Sequence, residues 1–376
     1  MMRCTCVKSK GGNRICPRNS LIAAYTLVAL FLGLLYCGGG SAPEGTAQKA
    51  FELRMSGKAD DAKTLLENAI SENPQDAAAH YELSRTLLHM GLGKGREIFN
   101  YIEQAKNSID KAVESDPENV IYRFFACRMG FMQAYMSLQG DEAAAREKVS
   151  ELNDLCESVL ELSPGYHEAR LFLVEINGAL PGNLGADSSK AEMHAKQLEA
   201  ADPVLGAKAR AILLPEETDL VEYWQKIVDG NPGNSDALDE LGRTCLRSGK
   251  TEDGIKYLED VFSADPAKNI VLLDIARYHI MRGMRDAEMR DKLAPLVEEA
   301  LNRYLATGPV QPLKAYATGL KSRIKYETNE EEADRLSEEA VTLDPYYSRA
   351  FGVPTLDLFV PVGEESHNHR YLFQPY

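Results

Sequence analysis

The segment Ser235–Pro266, SDALDELGRTCLRSGKTEDGIKYLEDVFSADP, holds two amphipathic helical patterns separated by Ser248-Gly249-Lys250 and closed by Asp265-Pro266. Leu241, Cys245, Leu258 and Val261 recur at helical spacing. The small residues Gly242 and Gly254 fall where two paired helices must approach closely. A single hairpin of this kind cannot bury its own apolar face, so it needs a like neighbour on each side. Pro232 lies 34 residues before Pro266, which gives the length of one such unit. The feature therefore commits the chain to a row of stacked helical hairpins and argues against a single central core.

These residues resemble the tetratricopeptide repeat (TPR), whose small-residue slots, turn glycine and closing proline are filled here by Gly242, Gly254, Val261, Gly249 and Pro266. Val261 is larger than that slot usually carries. Ala50, Gly57, Ala62, Ala69 and Pro74 fill the same slots in a first hairpin from Ala47. A second hairpin opens at Ala78 and closes with Ala105, Ala112 and Pro117. Its excess length lies in Gly91-Leu92-Gly93-Lys94-Gly95-Arg96. No strand pattern precedes that loop and the Walker spacing is absent, so it reads as a plain extension between helices. A third hairpin runs from about Ile121 to Pro164 and a fourth ends at Asp202-Pro203. A compressed fifth, with Trp224 as a core plug, occupies Val204–Leu213 and Thr218–Asp229. A seventh follows the reference hairpin over residues 269–305, and an eighth ends at Asp344-Pro345. The resemblance implies an all-α, right-handed superhelical solenoid of about eight TPR-like hairpins over residues 47–345. Residues 346–376 lack a helical period and are broken by Pro354, Pro361 and Pro375. They are expected to form an irregular C-terminal cap or tail along the last hairpin.

The loop Leu180–Ala191, LPGNLGADSSKA, breaks one helix at Pro181-Gly182, turns at Gly185 and caps the next through Asp187 or Ser188. It resembles a loop of bacterial TPR proteins that include lipoproteins associated with TRAP transporters. That resemblance implies service to a substrate-binding protein in solute uptake.

The N-terminus reads as an address. Arg3, Lys8, Lys10, Arg14 and Arg18 face no acid up to Tyr36, and Leu21–Tyr36 is an apolar run of 16 residues. A spanning helix needs about 20. The run ends at Cys37-Gly-Gly-Gly-Ser, and the whole resembles a bacterial lipoprotein signal. This implies lipid on Cys37, a flexible tether over residues 38–46, and a membrane-anchored body in the cell envelope on the extracytoplasmic, periplasmic side. Tyr36 stands where that family carries a small residue, and an uncleaved N-terminal anchor over residues 1–37 is the alternative. A mis-assigned start is a third.

With a net charge of −15, a nucleic-acid partner is disfavoured, because phosphates would be repelled. HExxH, GxSxG and a Gly-rich strand-to-helix turn are absent, so no enzyme and no cofactor are expected. His367 and His369 stand without a third ligand nearby, and no metal is expected. Cys127, Cys156 and Cys245 read as small buried thiols. What remains is a membrane-tethered scaffold whose concave groove binds a protein or peptide segment or a small anionic ligand, with a TRAP-type uptake accessory or an envelope-assembly factor as alternatives.

Four arginines make that groove specific. Ser84-Arg85, Cys127-Arg128, Gly242-Arg243 and Ala276-Arg277 each put Arg directly after the first small slot, a position that by resemblance faces the groove. Arg85, Arg128, Arg243 and Arg277 are thus candidate ligand-binding residues for carboxylates. Glu175 and Ala209 interrupt the row, which predicts two separate patches. Ordinary pairing within a helix is the competing reading, because Glu82, Asp239 and Asp274 precede Arg85, Arg243 and Arg277 by three or four residues. Arg128 has Phe124 at that spacing.

Overall fold

Side-chain oxygens placed just before a helical pattern set several of the helix starts. Asp76 accepts from the Ala79 amide at 2.9 Å, and Asn234 from those of Asp236 and Ala237 at 3.0 Å. Asp202 accepts from Val204 and Leu205 at 2.8 Å, while Pro203 occupies the first helical position. That Asp-Pro pair ends one helix and starts the next with a single residue between them, which is why the fifth hairpin is compressed.

A computed structural model that describes residues 45–137, 142–326, 328–350 and 356–365 has sixteen α-helices among them. The first eight are α1 Thr46–Met55, α2 Ala59–Glu72, α3 Ala77–Gly91, α4 Ile98–Ser115, α5 Val120–Ser137, α6 Glu142–Leu162, α7 His167–Ala179 and α8 Ser188–Ala201. The others are α9 Pro203–Leu213, α10 Leu220–Gly230, α11 Ser235–Arg247, α12 Thr251–Ala264, α13 Ile270–Arg285, α14 Ala287–Ala306, α15 Gln311–Lys325 and α16 Glu330–Leu343. Among the described residues there is no strand, and no helix is long and apolar enough to cross a membrane. The signal-like run and Cys37 lie outside those residues.

The helices form the expected eight hairpins in an all-α solenoid. Seven pair closely within themselves. The fifth is splayed: α9 packs on α7 and α8, and α10 on α11. Odd-numbered helices lie inside the row and are buried on several faces, as α3 is from Ala79 to Gly91. Even-numbered helices bury one stripe; α4 buries Ile102, Ala105, Ile109 and Ala112. At the closest approach within the reference hairpin, a Cβ on Gly254 would stand 2.8 Å from the Gly242 carbonyl oxygen, so both glycines are needed there. The loop 180–191 turns at Gly185, φ 93°, and Asp187 supplies the cap. Trp224 is buried, as expected.

Two expectations are corrected. Cys127 and Cys156 are joined in a disulfide between α5 and α6, with their Cα atoms 5.3 Å apart. The spacing of 29 residues hid this, because the two positions meet only once the hairpin folds. The C-terminal segment starts along the last hairpin, where the turn Tyr347–Arg349 packs on α15, but its later described part crosses to the other end of the row. Leu358 is buried among the residues of the first three hairpins, and Phe359 packs against both ends of the row.

The last hairpin also touches the first. Asp344, just past α16, accepts from His89 of α3 at 2.8 Å and caps the amides of Tyr346 and Tyr347. Tyr346 donates to Asp60 of α2 at 2.8 Å. Lys94 lies over the Tyr346 ring, and Gly93 leaves room for the Tyr346 carbonyl, where a Cβ would collide. The extra length of the second hairpin is thus the seat of the eighth, and the row closes on itself.

Candidate functional site

The inner face holds two charged patches, and each is centred on a buried acid. In the first, Glu82 lies between Arg54 at 2.8 Å and Arg85 at 3.3 Å, all three side chains fully buried. Both guanidinium groups flank the Phe51 ring, and Arg85 also lies over Tyr81. Arg54 donates to the Leu358 carbonyl at 2.7 Å; Arg85 donates to the same carbonyl at 3.1 Å and to that of Val360. This patch grips the protein's own C-terminal segment by its backbone. Burial works against the charge of Arg54, and Glu82 acts to restore it.

Arg128 is half-buried on the same face. It borders a cleft with Tyr81, Phe125 and Tyr166 below and Val360 and Glu364 of the C-terminal segment above. On its other side is an apolar cavity of about 300 Å³ whose rim carries Phe99 and Tyr135, both exposed.

In the second patch Asp274, buried on α13, accepts from Arg243 of α11 at 2.6 Å and stands 3.8 Å from Arg277. Arg243 also donates to Asp239 at 2.8 Å. Arg277 donates to the hydroxyl of Tyr316 on α15, and Arg323 lies close enough to act on the same phenol. Between the patches Lys208 donates to Glu240 at 2.6 Å, another buried pair.

Pairing within a helix therefore accounts for only part of each arginine's environment. Glu82, Glu240 and Asp274 all stand two residues before a small slot, and each takes a base from the preceding hairpin: Arg54, Lys208 and Arg243. That recurrence of a buried acid in one slot was a signal available in the sequence. The role of Arg54 was missed, since its second partner is a backbone carbonyl 304 residues away.

Among the described residues no group of three or more His, Cys, Asp or Glu side chains converges as a metal site would require. His367 and His369 lie outside them.

The tetratricopeptide-repeat family model matches residues 53–94. No curated protein matches the chain in sequence. Among solved structures it is similar to a thermophilic TPR protein of Thermus thermophilus, at 16% identity over 63% of this chain and 98% of that one, TM-score 0.38. It is also similar to YrrB, described as a TPR protein with an unusual peptide-binding site, at 15% identity over 76% of this chain and 95% of that one, TM-score 0.25. For the human IFIT1 dimer the values are 14%, 81%, 78% and 0.38. The matched repeat and the eight stacked hairpins give the chain a tetratricopeptide-repeat-like fold.

Proposed function

We propose that this protein is an interaction scaffold, tethered to a membrane through its N-terminus on the extracytoplasmic side, whose inner face captures a short protein segment. The observation that carries the reading is the grip of Arg54 and Arg85 on the carbonyls of Leu358 and Val360. Capture by backbone carbonyls, here those of the 3-10 turn Leu356–Phe359 and the residue after it, holds a segment without demanding one side chain at every position. The carboxylate preference belongs to the second patch, where Arg243 and Arg277 flank the inner face.

Two features support the tether and the compartment. Basic residues, a short apolar run and Cys37 follow one another in the order a lipid-modified signal uses. The Cys127–Cys156 bond suits an oxidising compartment. Labelled palmitate is expected on the wild type and not on Cys37→Ala; equal labelling of both would sink the lipid assignment. The uptake-accessory reading is favoured only by the Leu180–Ala191 loop, and neighbouring permease genes would raise it above the general scaffold.

Segment capture is tested by ending the chain after Ala350 and supplying a peptide of residues 356–365 in trans. The shortened chain is expected to bind the peptide, and Arg85→Gln in the same background to lose it. A shortened chain that keeps its helical circular dichroism yet ignores the peptide overturns the reading.

A further inference from the structure

Beside the second patch, α13, α14 and α15 enclose a cavity of about 500 Å³, within the size range of small-molecule sites. Val297, Leu320 and Ile324 make its walls apolar, and Met284, 60% exposed, stands at its mouth. Its polar end is compact: the Tyr316 hydroxyl lies under the influence of Arg277 and Arg323. Arg323, on the exposed side, has a hydrogen bond to a neutral acceptor, the Ala350 carbonyl at 3.1 Å. Arg277, Arg290 and Arg323 line the cavity with Asp291, and Asp274 stands 3.8 Å from Arg277, in a chain of net charge −15. His279 lines it too, 3% exposed, and its Nδ1 has no hydrogen-bond partner among the described residues.

Apolar walls with guanidinium forks and a hydroxyl at one end suit an anion that carries an apolar body behind it. We propose that this cavity binds an amphipathic carboxylate, its apolar chain on Val297, Leu320 and Met284 and its head group at Arg323 and the Arg277–Tyr316 pair. Carboxylate is favoured over phosphate because the polar end offers two guanidinium forks and a hydroxyl and no helix N-terminus, the donor set one planar carboxylate satisfies. The site is separate from the segment-binding patch and does not depend on it.

Equilibrium dialysis of the full chain against labelled dodecanoate tests the proposal, with dodecanol and dodecyl phosphate as competitors. One saturable dodecanoate per chain is expected, with dodecanol about tenfold weaker, as loss of a charge-assisted hydrogen bond implies. Arg323 is exposed, so Arg323→Gln should keep the wild-type melting temperature while weakening dodecanoate about tenfold and leaving dodecanol unchanged. Ala294→Trp, which fills the cavity, should abolish both; Met284→Glu at the mouth, which leaves the interior intact, should weaken dodecanoate alone. Absence of saturable dodecanoate binding to the wild type overturns the site. Equal affinity for dodecanol, tighter dodecyl phosphate, or an unaffected Arg323→Gln overturns the carboxylate assignment.

Discussion

The two inner-face patches use one device to opposite ends. In each, a buried acid two residues before a small slot pairs with a base from the hairpin before it and an arginine of its own helix. The first patch is sealed: Arg54, Glu82 and Arg85 have no solvent access, and the C-terminal segment lies over them. The second keeps partial exposure on Arg243 and Arg277 and opens beside a cavity. A repeat thus supplies a charged inner position cheaply, and what covers it decides whether it holds the fold together or faces a ligand.

The largest expected effect tests that contrast directly. Glu82→Gln leaves two buried guanidinium groups without a carboxylate and should cost about 3–5 kcal/mol in urea unfolding. Asp274→Asn should cost well under that, since Arg243 keeps Asp239 at 2.8 Å and water reaches both arginines. Equal costs would mean that sealing makes no difference. Next is the cover itself. Leu358 is fully buried, so Leu358→Ala should cost about 2–4 kcal/mol, whereas a trailing tail would give no change.

Acidification comes third. Burial holds the His89 imidazole below its usual range, against the raising influence of Asp344 and Glu82 and with the lowering influence of Arg54. A depressed pKa means that the unfolded chain binds more protons, so stability is fully present above about pH 6.5 and is lost as pH falls from there towards the folded value. Burial depresses His194 and His279 with the same sign. His89→Gln should remove the share that belongs to the closure, visible as a flatter melting temperature between neutral and mildly acid pH. An unchanged slope would assign the dependence to the other two. The smallest effect is Tyr346→Phe, which removes the hydrogen bond to Asp60 and should cost about 0.5–1.5 kcal/mol.

Local chemistry was legible in the sequence and distant pairing was not. Caps such as Asp187, the turn glycines Gly185 and Gly249, and the helical stripes act within a few residues, so the eight hairpins could be placed from spacing alone. The arginine row was found because its slots repeat. Its sealing was not, because Leu358 and Val360 offer main-chain carbonyls that any residue carries. The Cys127–Cys156 bond was missed because three cysteines in the folded body discouraged pairing, yet the partners lie on facing helices of one hairpin and Cys245 remains a buried thiol. His89 with Asp344 is a pair 255 residues apart that no periodicity joins.

Closure also changes how the chain can come apart. An open stack of repeats frays from its ends, since each terminal unit has one neighbour and a melting front can start there. Here the eighth hairpin neighbours the first two through Asp60, His89, Asp344 and Tyr346, so the described row has no exposed terminal unit. Amide exchange should therefore be nearly as slow in α1 and α16 as in α7, and the Tyr346→Phe change should speed it at both ends together. The same contacts span some of the longest loops the chain can form, whose entropy must be met before they yield anything. The hairpins accordingly stack first, and the seam is the last part of the molecule to form.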